Sequence, residues 1–129
     1  MNLERLGDYR PQALAVLRIV TGLLFLEHGT MKLFGFPAGQ GGDSLPPLLL
    51  VASLLEVVGG LLITVGFLTR PVAFILCGEM AVAYFMAHAP RGFYPALNSG
   101  EAAILFCFIF LYLFFAGAGA WSVDSRSKS

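Results

Sequence analysis

The sequence predicts an all-α membrane protein, a single domain whose four transmembrane helices pack as a bundle. Of the 129 residues, 57% are hydrophobic and only 12% are charged. Soluble domains carry about 25% charged residues, so a soluble protein of this size could not cover its surface with polar groups. The apolar residues also fall into four runs of roughly 20 residues, the length that a membrane-spanning helix requires.

The four runs predict helices at about residues 12–34, 45–68, 71–88 and 98–118, within one transmembrane domain that covers residues 1–129. A glycine-rich loop that contains Pro37 separates the first two helices, and Pro46-Pro47 is typical of a helix start. The short turn at 69–71 connects the second helix to the third. The remaining residues suffice for short loops and tails, with no room for a separate soluble domain.

The distribution of positive charge predicts that both termini lie in the cytoplasm. With four crossings, both ends of the chain share one side of the membrane. Five positive residues fall on that side: Arg5, Arg10, Arg70, Arg126 and Lys128. Only Lys32 and Arg91 fall on the other side, so the positive-inside rule places both termini and the Arg70 turn in the cytoplasm. We expect a multi-pass protein of a bacterial-type inner (plasma) membrane. A net charge of zero without a basic run argues against nucleic-acid binding.

Each apolar run contains one glutamate, and this is the most informative feature of the sequence. The four are Glu27, Glu56, Glu79 and Glu101. A carboxylate in mid-bilayer costs a few kcal/mol, so these residues need partners, protonation or a function. A rise of about 1.5 Å per residue places Arg18 and Glu79 at a common inner depth, roughly 9 and 12 Å from the cytoplasmic end. The sequence therefore predicts a structural ion pair between Arg18 and Glu79.

The other polar residues in the helices share an outer level, roughly 20 to 27 Å from the cytoplasmic end. They predict an acid-lined pocket that opens toward the periplasm. Its candidate catalytic residues are Glu56, Glu101 and His28, and its candidate ligand-binding residues are Glu27, His88 and Tyr84. Structural alternatives stay open for these residues: a hydrogen-bonded packing role for Glu56, a helix N-terminal role for Glu101 and an interfacial position for both histidines.

Helical phase limits which residues can face the same pocket. Arg18, Gly22 and Gly29 lie on one stripe of the first helix, where the glycines would let a neighbouring helix approach closely. Glu27 lies nine residues after Arg18 and therefore about 180° around the helix. Either Glu27 faces a second protomer or the helix bends, so we expect a homo-oligomer. Glu79 and His88 conflict in the same way, unless His88 lies beyond the helix end.

No metal site is predicted. Di-iron bundles use a Glu-x-x-His motif, which this sequence lacks, and the adjacent Glu27 and His28 would point about 100° apart. The two cysteines, Cys77 and Cys107, lie inside apolar runs without a C-x-x-C motif, and they are predicted to be small buried thiols. The alternative is a redox pair between neighbouring helices.

Ordered sequence fragments around the four apolar runs carry a family resemblance over about residues 12–124. They are LRIVTG (17–22), LEHG (26–29), KLFG (32–35), EVVGG (56–60), GFLTR (66–70), EM (79–80) with Ala83 and His88, GF (92–93), GE (100–101) and GAGAWSVD (117–124). The chain resembles the DoxX family of small four-helix membrane proteins. The resemblance implies quinone-coupled thiosulfate oxidation, membrane complexes that handle thiol and oxidative stress, or detoxification of catechols and quinones.

Two functions remain open on these grounds. In the first, the protein is a redox component that binds a quinone or a small sulfur compound in the outer pocket, where carboxylates and histidine relay protons. It would be an oxidoreductase subunit that needs a redox partner subunit, because the sequence shows no dithiol motif, haem ligands or nucleotide loop. In the second, it is a non-catalytic membrane scaffold or a small transporter subunit.

Overall fold

The computed structural model describes residues 2–38 and 45–127, which are helical with short connections and contain no strand. A 3₁₀ helix, Leu3–Tyr9, leads into the first of six α-helices. These are α1 (Arg10–Phe34), α2 (Pro47–Val65), α3 (Thr69–Ala83), α4 (Pro95–Asn98), α5 (Glu101–Ala116) and α6 (Val123–Ser127). After α3 the chain continues through a π-helical turn, Tyr84–His88, and a 3₁₀ turn, Ala89–Arg91.

Three helical segments of the described residues are long and apolar enough to cross a membrane. They are Leu3–Phe34, Pro47–Val65 and Thr69–Arg91. The predicted all-α fold is thereby confirmed for the described residues, with these three segments as candidate membrane spans. The apolar helix α5 has 16 residues and therefore spans roughly 24 Å, so the fourth crossing and the cytoplasmic location of both termini remain predictions.

Glycine and proline set the ends of the helices. Gly35 and Gly66 end α1 and α2 in the left-handed conformation (φ 71° in both), which costs a residue without a side chain little. Pro47 opens α2, as the sequence predicts. The predicted fourth helix is shorter than 98–118, because Ser99 adopts a positive φ of 63° and separates α4 from α5. Residues 39–43 of the predicted glycine-rich loop, and Lys128, lie outside the described residues.

The helices pack most extensively as two pairs, α1 with α2 and α3 with α5. Glycines bring the backbones of α1 and α2 into contact: a Cβ atom on Gly29 would lie 2.8 Å from the backbone nitrogen of Val57, and one on Gly60 would lie 2.9 Å from the Cα atom of Leu26. Small residues at helix contacts are typical of membrane bundles. The predicted role of the glycine stripe on the first helix is thus seen in the structure.

An aromatic and aliphatic core joins the two helix pairs. The ring of Phe25 meets that of Phe110 edge to face, with the ring centroids 4.9 Å apart, and both side chains are buried. Ile63, Leu76 and Leu113 complete the buried cluster around them. Large apolar side chains also cover much of the outer surface, which is the surface expected of helices that face lipid tails.

Arg18 does not form the predicted ion pair with Glu79. Its guanidinium is fully buried and donates hydrogen bonds to backbone carbonyls of the segment after α5: that of Ala118, that of Ala120 at 3.0 Å and that of Trp121 at 2.9 Å. After α5 ends, this segment folds back against the start of α1, so its carbonyls accept no hydrogen bonds from within a helix. The arginine satisfies them, and Glu79 faces other groups.

A candidate ligand pocket among the helices

A cavity of about 620 Å³ lies among α1, α2, α5 and the α3 segment that continues to His88. Its wall is mostly apolar, with side chains such as Phe25, Leu55, Met80 and Phe106. Six polar or ionisable residues also line it: His28, Lys32, Glu56, Glu79, His88 and Ser99. The cavity thus combines an apolar interior with a small set of polar groups, as pockets for small molecules do.

Lys32 and Glu56 form a direct ion pair on the cavity wall. The Nζ atom of Lys32 donates to both carboxylate oxygens of Glu56 at 2.9 Å each, and the Glu56 side chain is almost entirely buried. Their contact follows from the packing of α1 on α2, because Gly29 leaves room for Glu56 and Lys32 lies one turn later on the same face. Glu56, a predicted site residue, therefore lies in the cavity with a cationic partner that the prediction did not assign to it.

Glu79 faces this ion pair from α3. Its carboxyl interacts with both Glu56 and Lys32, and yet both of its oxygens are buried without a hydrogen-bond partner among the described residues. The two hydrogen bonds of the Lys32 ammonium group both go to Glu56. An unsatisfied buried polar group is costly and rare in native structures. Glu79 is therefore the group in this cavity with unused capacity to hold a proton or a polar ligand atom.

The two histidines also border the cavity. The ring of His28 packs edge to face against Phe106, with the ring centroids 5.7 Å apart. The Nδ1 atom of His88 lies 3.1 Å from the backbone carbonyl oxygen of Asn98. A carbonyl can only accept a hydrogen bond, so His88 donates through Nδ1, and its Nε2 atom is the acceptor in the neutral ring.

Tyr84 lies behind the cavity and does not line it. Its hydroxyl oxygen accepts a hydrogen bond from the side-chain amide of Asn98 at 3.1 Å, and its ring stacks on that of His88. The buried Asn98 also donates to the carbonyl of Gly92 at 3.0 Å and accepts from the backbone nitrogen of Gly100 at 2.8 Å. Asn98 thereby fixes the loop that holds His88 in place.

The structure does not bring Glu27 and Glu101 into the cavity. Glu27 is exposed on the outer face of α1, as its nine-residue separation from Arg18 requires in a regular helix. Glu101 is exposed in the first turn of α5, where the positive end of the helix dipole favours an anion. This placement matches the structural alternative for Glu101. Among residues 2–38 and 45–127, no group of three His, Cys, Asp or Glu side chains is arranged to hold a metal ion.

Sequence reasoning missed Lys32 and Ser99 as cavity residues. The signal for Lys32 was present, since it shares the stripe of Arg18 and Gly29 on α1, and that stripe faces the neighbouring helices. Ser99 gives no such signal, because it enters the wall through a positive-φ turn between α4 and α5.

The two cysteines meet between α3 and α5. The sulfur atoms of Cys77 and Cys107 are 3.7 Å apart, both residues are free thiols, and both are half-buried. The sequence predicts both as small buried thiols, and it leaves the redox pair as an alternative.

The sequence is similar to one known protein family and to two bacterial proteins. The DoxX family model matches residues 13–89. An "Uncharacterized protein" of Haemophilus influenzae is 47% identical over 131 aligned residues, which cover 97% of this chain and 96% of that protein. The "Inner membrane protein YphA" of Escherichia coli K12 is 30% identical over 145 aligned residues, 98% of this chain and 100% of that protein. No solved structure matches.

Proposed function

This protein belongs to the DoxX family, and from that premise we propose that it is a quinone-linked redox component whose ligand binds in the cavity beside Lys32, Glu56 and Glu79. It is an inner membrane protein. The proposal commits to a quinone because a flat, mostly apolar molecule with two carbonyl oxygens suits a cavity of about 620 Å³ with few polar groups.

One observation carries the proposal, the group of three charged side chains, Lys32, Glu56 and Glu79, on a mostly apolar wall. Lys32 and Glu56 pair at 2.9 Å, and the two carboxyl oxygens of Glu79 are buried without a hydrogen-bond partner among the described residues. Ionisable residues inside membrane segments are energetically expensive, and they mark substrate, ion or proton pathways. The ion pair alone would suffice to join α1 to α2, and such a role leaves Glu79 unexplained.

The three side chains offer what a quinone requires at its two oxygen atoms. An ammonium group has three donors, so Lys32 keeps one for a ligand carbonyl while it donates two to Glu56. Glu79 has two free acceptor oxygens for a ligand hydroxyl, or it holds a proton. His88 also lines the cavity, and its Nε2 atom is not used in the hydrogen bond to Asn98. These groups support the binding of both the oxidised and the reduced ligand.

A neutral replacement of the ion pair tests the proposal. We expect the double variant Lys32→Met/Glu56→Gln, which removes both members of the ion pair together, to bind decylubiquinone about tenfold or more weakly, because the ligand loses its charged donor (about 1.4 kcal/mol for each factor of ten). Binding is measured as ligand-induced thermal stabilisation of the purified protein in nanodiscs. Glu27→Gln is the matched control, because it neutralises an exposed glutamate of α1 outside the cavity, and we expect it to bind as the wild type does.

The possible outcomes separate the two functions. If decylubiquinone stabilises the wild type and Glu27→Gln but not the double variant, the ligand uses the cavity. If it stabilises none of the three, or all three equally, the quinone proposal fails and a scaffold or transporter subunit becomes the better interpretation.

The predicted partners remain part of the proposal. The exposed carboxylate of Glu27 lies on an apolar face of α1 with Val20 and Leu23, where a second copy of the chain would shield it from lipid. The redox partner subunit is proposed because sustained turnover needs a source of electrons that renews the site.

A further inference from the structure

We propose that Cys77 and Cys107 form a redox-active dithiol that exchanges two electrons and two protons with a quinone bound in the cavity. On oxidation, the pair becomes a disulfide between α3 and α5. The inference rests on the proposed quinone site and adds the group that reacts with the ligand.

The first support is the geometry of the pair. The two sulfur atoms are 3.7 Å apart on two helices that pack closely along their length. A disulfide bond is about 2.05 Å long, so the sulfurs need to approach by less than 2 Å to form one. The chain has only these two cysteines. A disulfide within one chain can therefore form in only one way.

The second support is the position of the pair relative to the cavity. Met80 and Ala103 line the cavity, and they lie three residues after Cys77 and four residues before Cys107. Residues at these spacings share one face of a helix, about 4.5 to 6 Å apart along its axis. Phe106, which also lines the cavity, directly precedes Cys107. The dithiol thus lies one helical turn from the cavity wall, on the two helices that form that wall.

The reaction balances with the dithiol and the quinone alone. The two S–H bonds break and one S–S bond forms, which releases two electrons and two protons. The quinone takes up both, and its two carbonyl groups become hydroxyl groups. Glu79 and His88 line the same cavity and can carry protons to the ligand oxygens. In the reverse direction, a hydroquinone reduces the disulfide and regenerates both thiols.

The experiment measures the loss of thiols and the reduction of quinone in the same sample. The purified protein in nanodiscs is reduced, freed of reductant without oxygen, and mixed with decylubiquinone. We expect each chain to lose both thiols while one quinone is reduced, as measured by maleimide labelling after denaturation and by quinone absorbance. Intact mass should show the loss of two hydrogen atoms and no adduct. Cys77→Ser and Cys107→Ser should each reduce no quinone, and yet be stabilised by decylubiquinone as the wild type is.

Each outcome distinguishes the two proposals. If decylubiquinone stabilises the wild type but both thiols stay reduced, the dithiol inference fails and the quinone site stands. If the Lys32→Met/Glu56→Gln variant loses its thiols at the wild-type rate, the reaction bypasses the cavity and the inference is overturned. If decylubiquinone neither stabilises the wild type nor oxidises its thiols, both proposals fall.

Discussion

Arg18 shows how one buried cation organises the end of the bundle where the segment after α5 meets α1. A guanidinium group carries five N–H donors in a planar fork, so one arginine can serve several carbonyls at once. Arg18 uses this capacity on the segment after α5, whose carbonyls at Ala118, Ala120 and Trp121 lie outside any helix. Asp124 from the same end of the chain lies close enough to interact with the positive charge. The carboxylate of Asp124 also accepts hydrogen bonds from the backbone nitrogens of Leu68 and Thr69 at the start of α3.

Removal of this arginine should unfold the protein more easily. We expect Arg18→Met to lower the free energy of unfolding by about 3 kcal/mol or more, because each lost hydrogen bond to a charged donor contributes about 1.5 to 3 kcal/mol. Unfolding is followed in mixed micelles by titration with a denaturing detergent. Arg70→Met is the control, because Arg70 is exposed and makes one long bond, 3.4 Å, to the carbonyl of Phe115. An equal loss in both variants would show that Arg18 has no special role.

For individual residues, the sequence predicts which charged side chains lie inside the bundle better than it predicts their hydrogen-bond partners. The rule that buried charges need compensation correctly singled out Arg18, Glu56 and Glu79. The prediction paired Arg18 with Glu79 because the two residues lie at a similar depth along their helices and only side chains were considered as partners. Backbone carbonyls are present at every residue, so no sequence pattern indicates that a folded-back terminal segment will supply them.

Among the helices, a single irregular turn decides which residues share the cavity. Glu79 and His88 lie nine residues apart, which would place them on opposite faces of a regular α-helix. In the π-helical turn Tyr84–His88, each residue rotates the side-chain direction around the helix axis by a smaller angle than in an α-helix. His88 therefore lies closer to the face of Glu79 than a regular helix would place it. Both residues therefore line one cavity. In α1, which stays a regular helix, Arg18 and Glu27 keep the opposite faces that the sequence predicts.

The close contact between α1 and α2 gives a prediction at the level of these helices. We expect Gly29→Ala to lower the free energy of unfolding by about 1 to 3 kcal/mol, because the added Cβ would lie 2.8 Å from the backbone of Val57 and force the helices apart. The same detergent titration measures it. Gly78→Ala is the matched control: it is also a glycine within a membrane-spanning helix, and its Cβ would meet no described atom within 4 Å.

Gly78→Ala is a sharp control because its expected change in the free energy of unfolding has the opposite sign to that of Gly29→Ala. Alanine is favoured over glycine inside a helix by about 1 kcal/mol, so Gly78→Ala should leave the protein as stable as the wild type or more stable. If Gly29→Ala behaved like Gly78→Ala, the backbone contact between α1 and α2 would not contribute to stability. Helical phase already places Gly29 on the stripe that faces a neighbouring helix, and the packing shows which backbone it meets.

For the whole molecule, the open question is how many times the chain crosses the membrane. Helix α5 spans roughly 24 Å, less than the hydrocarbon core of about 30 Å. Its far end nevertheless lies beside the start of α1, because the backbone nitrogen of Ala120 donates to the carbonyl of Pro11 at 3.0 Å. This contact joins the segment after α5 to the start of α1, so both lie at the same end of the bundle. An even number of crossings therefore suits the structure better than three.

Fusion of reporter proteins to the two ends of the chain decides between three and four crossings. We expect green fluorescent protein to fluoresce and alkaline phosphatase to stay inactive at either terminus, because the positive-inside rule places both ends in the cytoplasm. The same phosphatase inserted after Gly92, in the loop before α4, should be active and serves as the control for export. An active phosphatase at one terminus alone would mean an odd number of crossings. In that case α5 would not cross the membrane, and the contact between Ala120 and Pro11 could not hold in the bilayer.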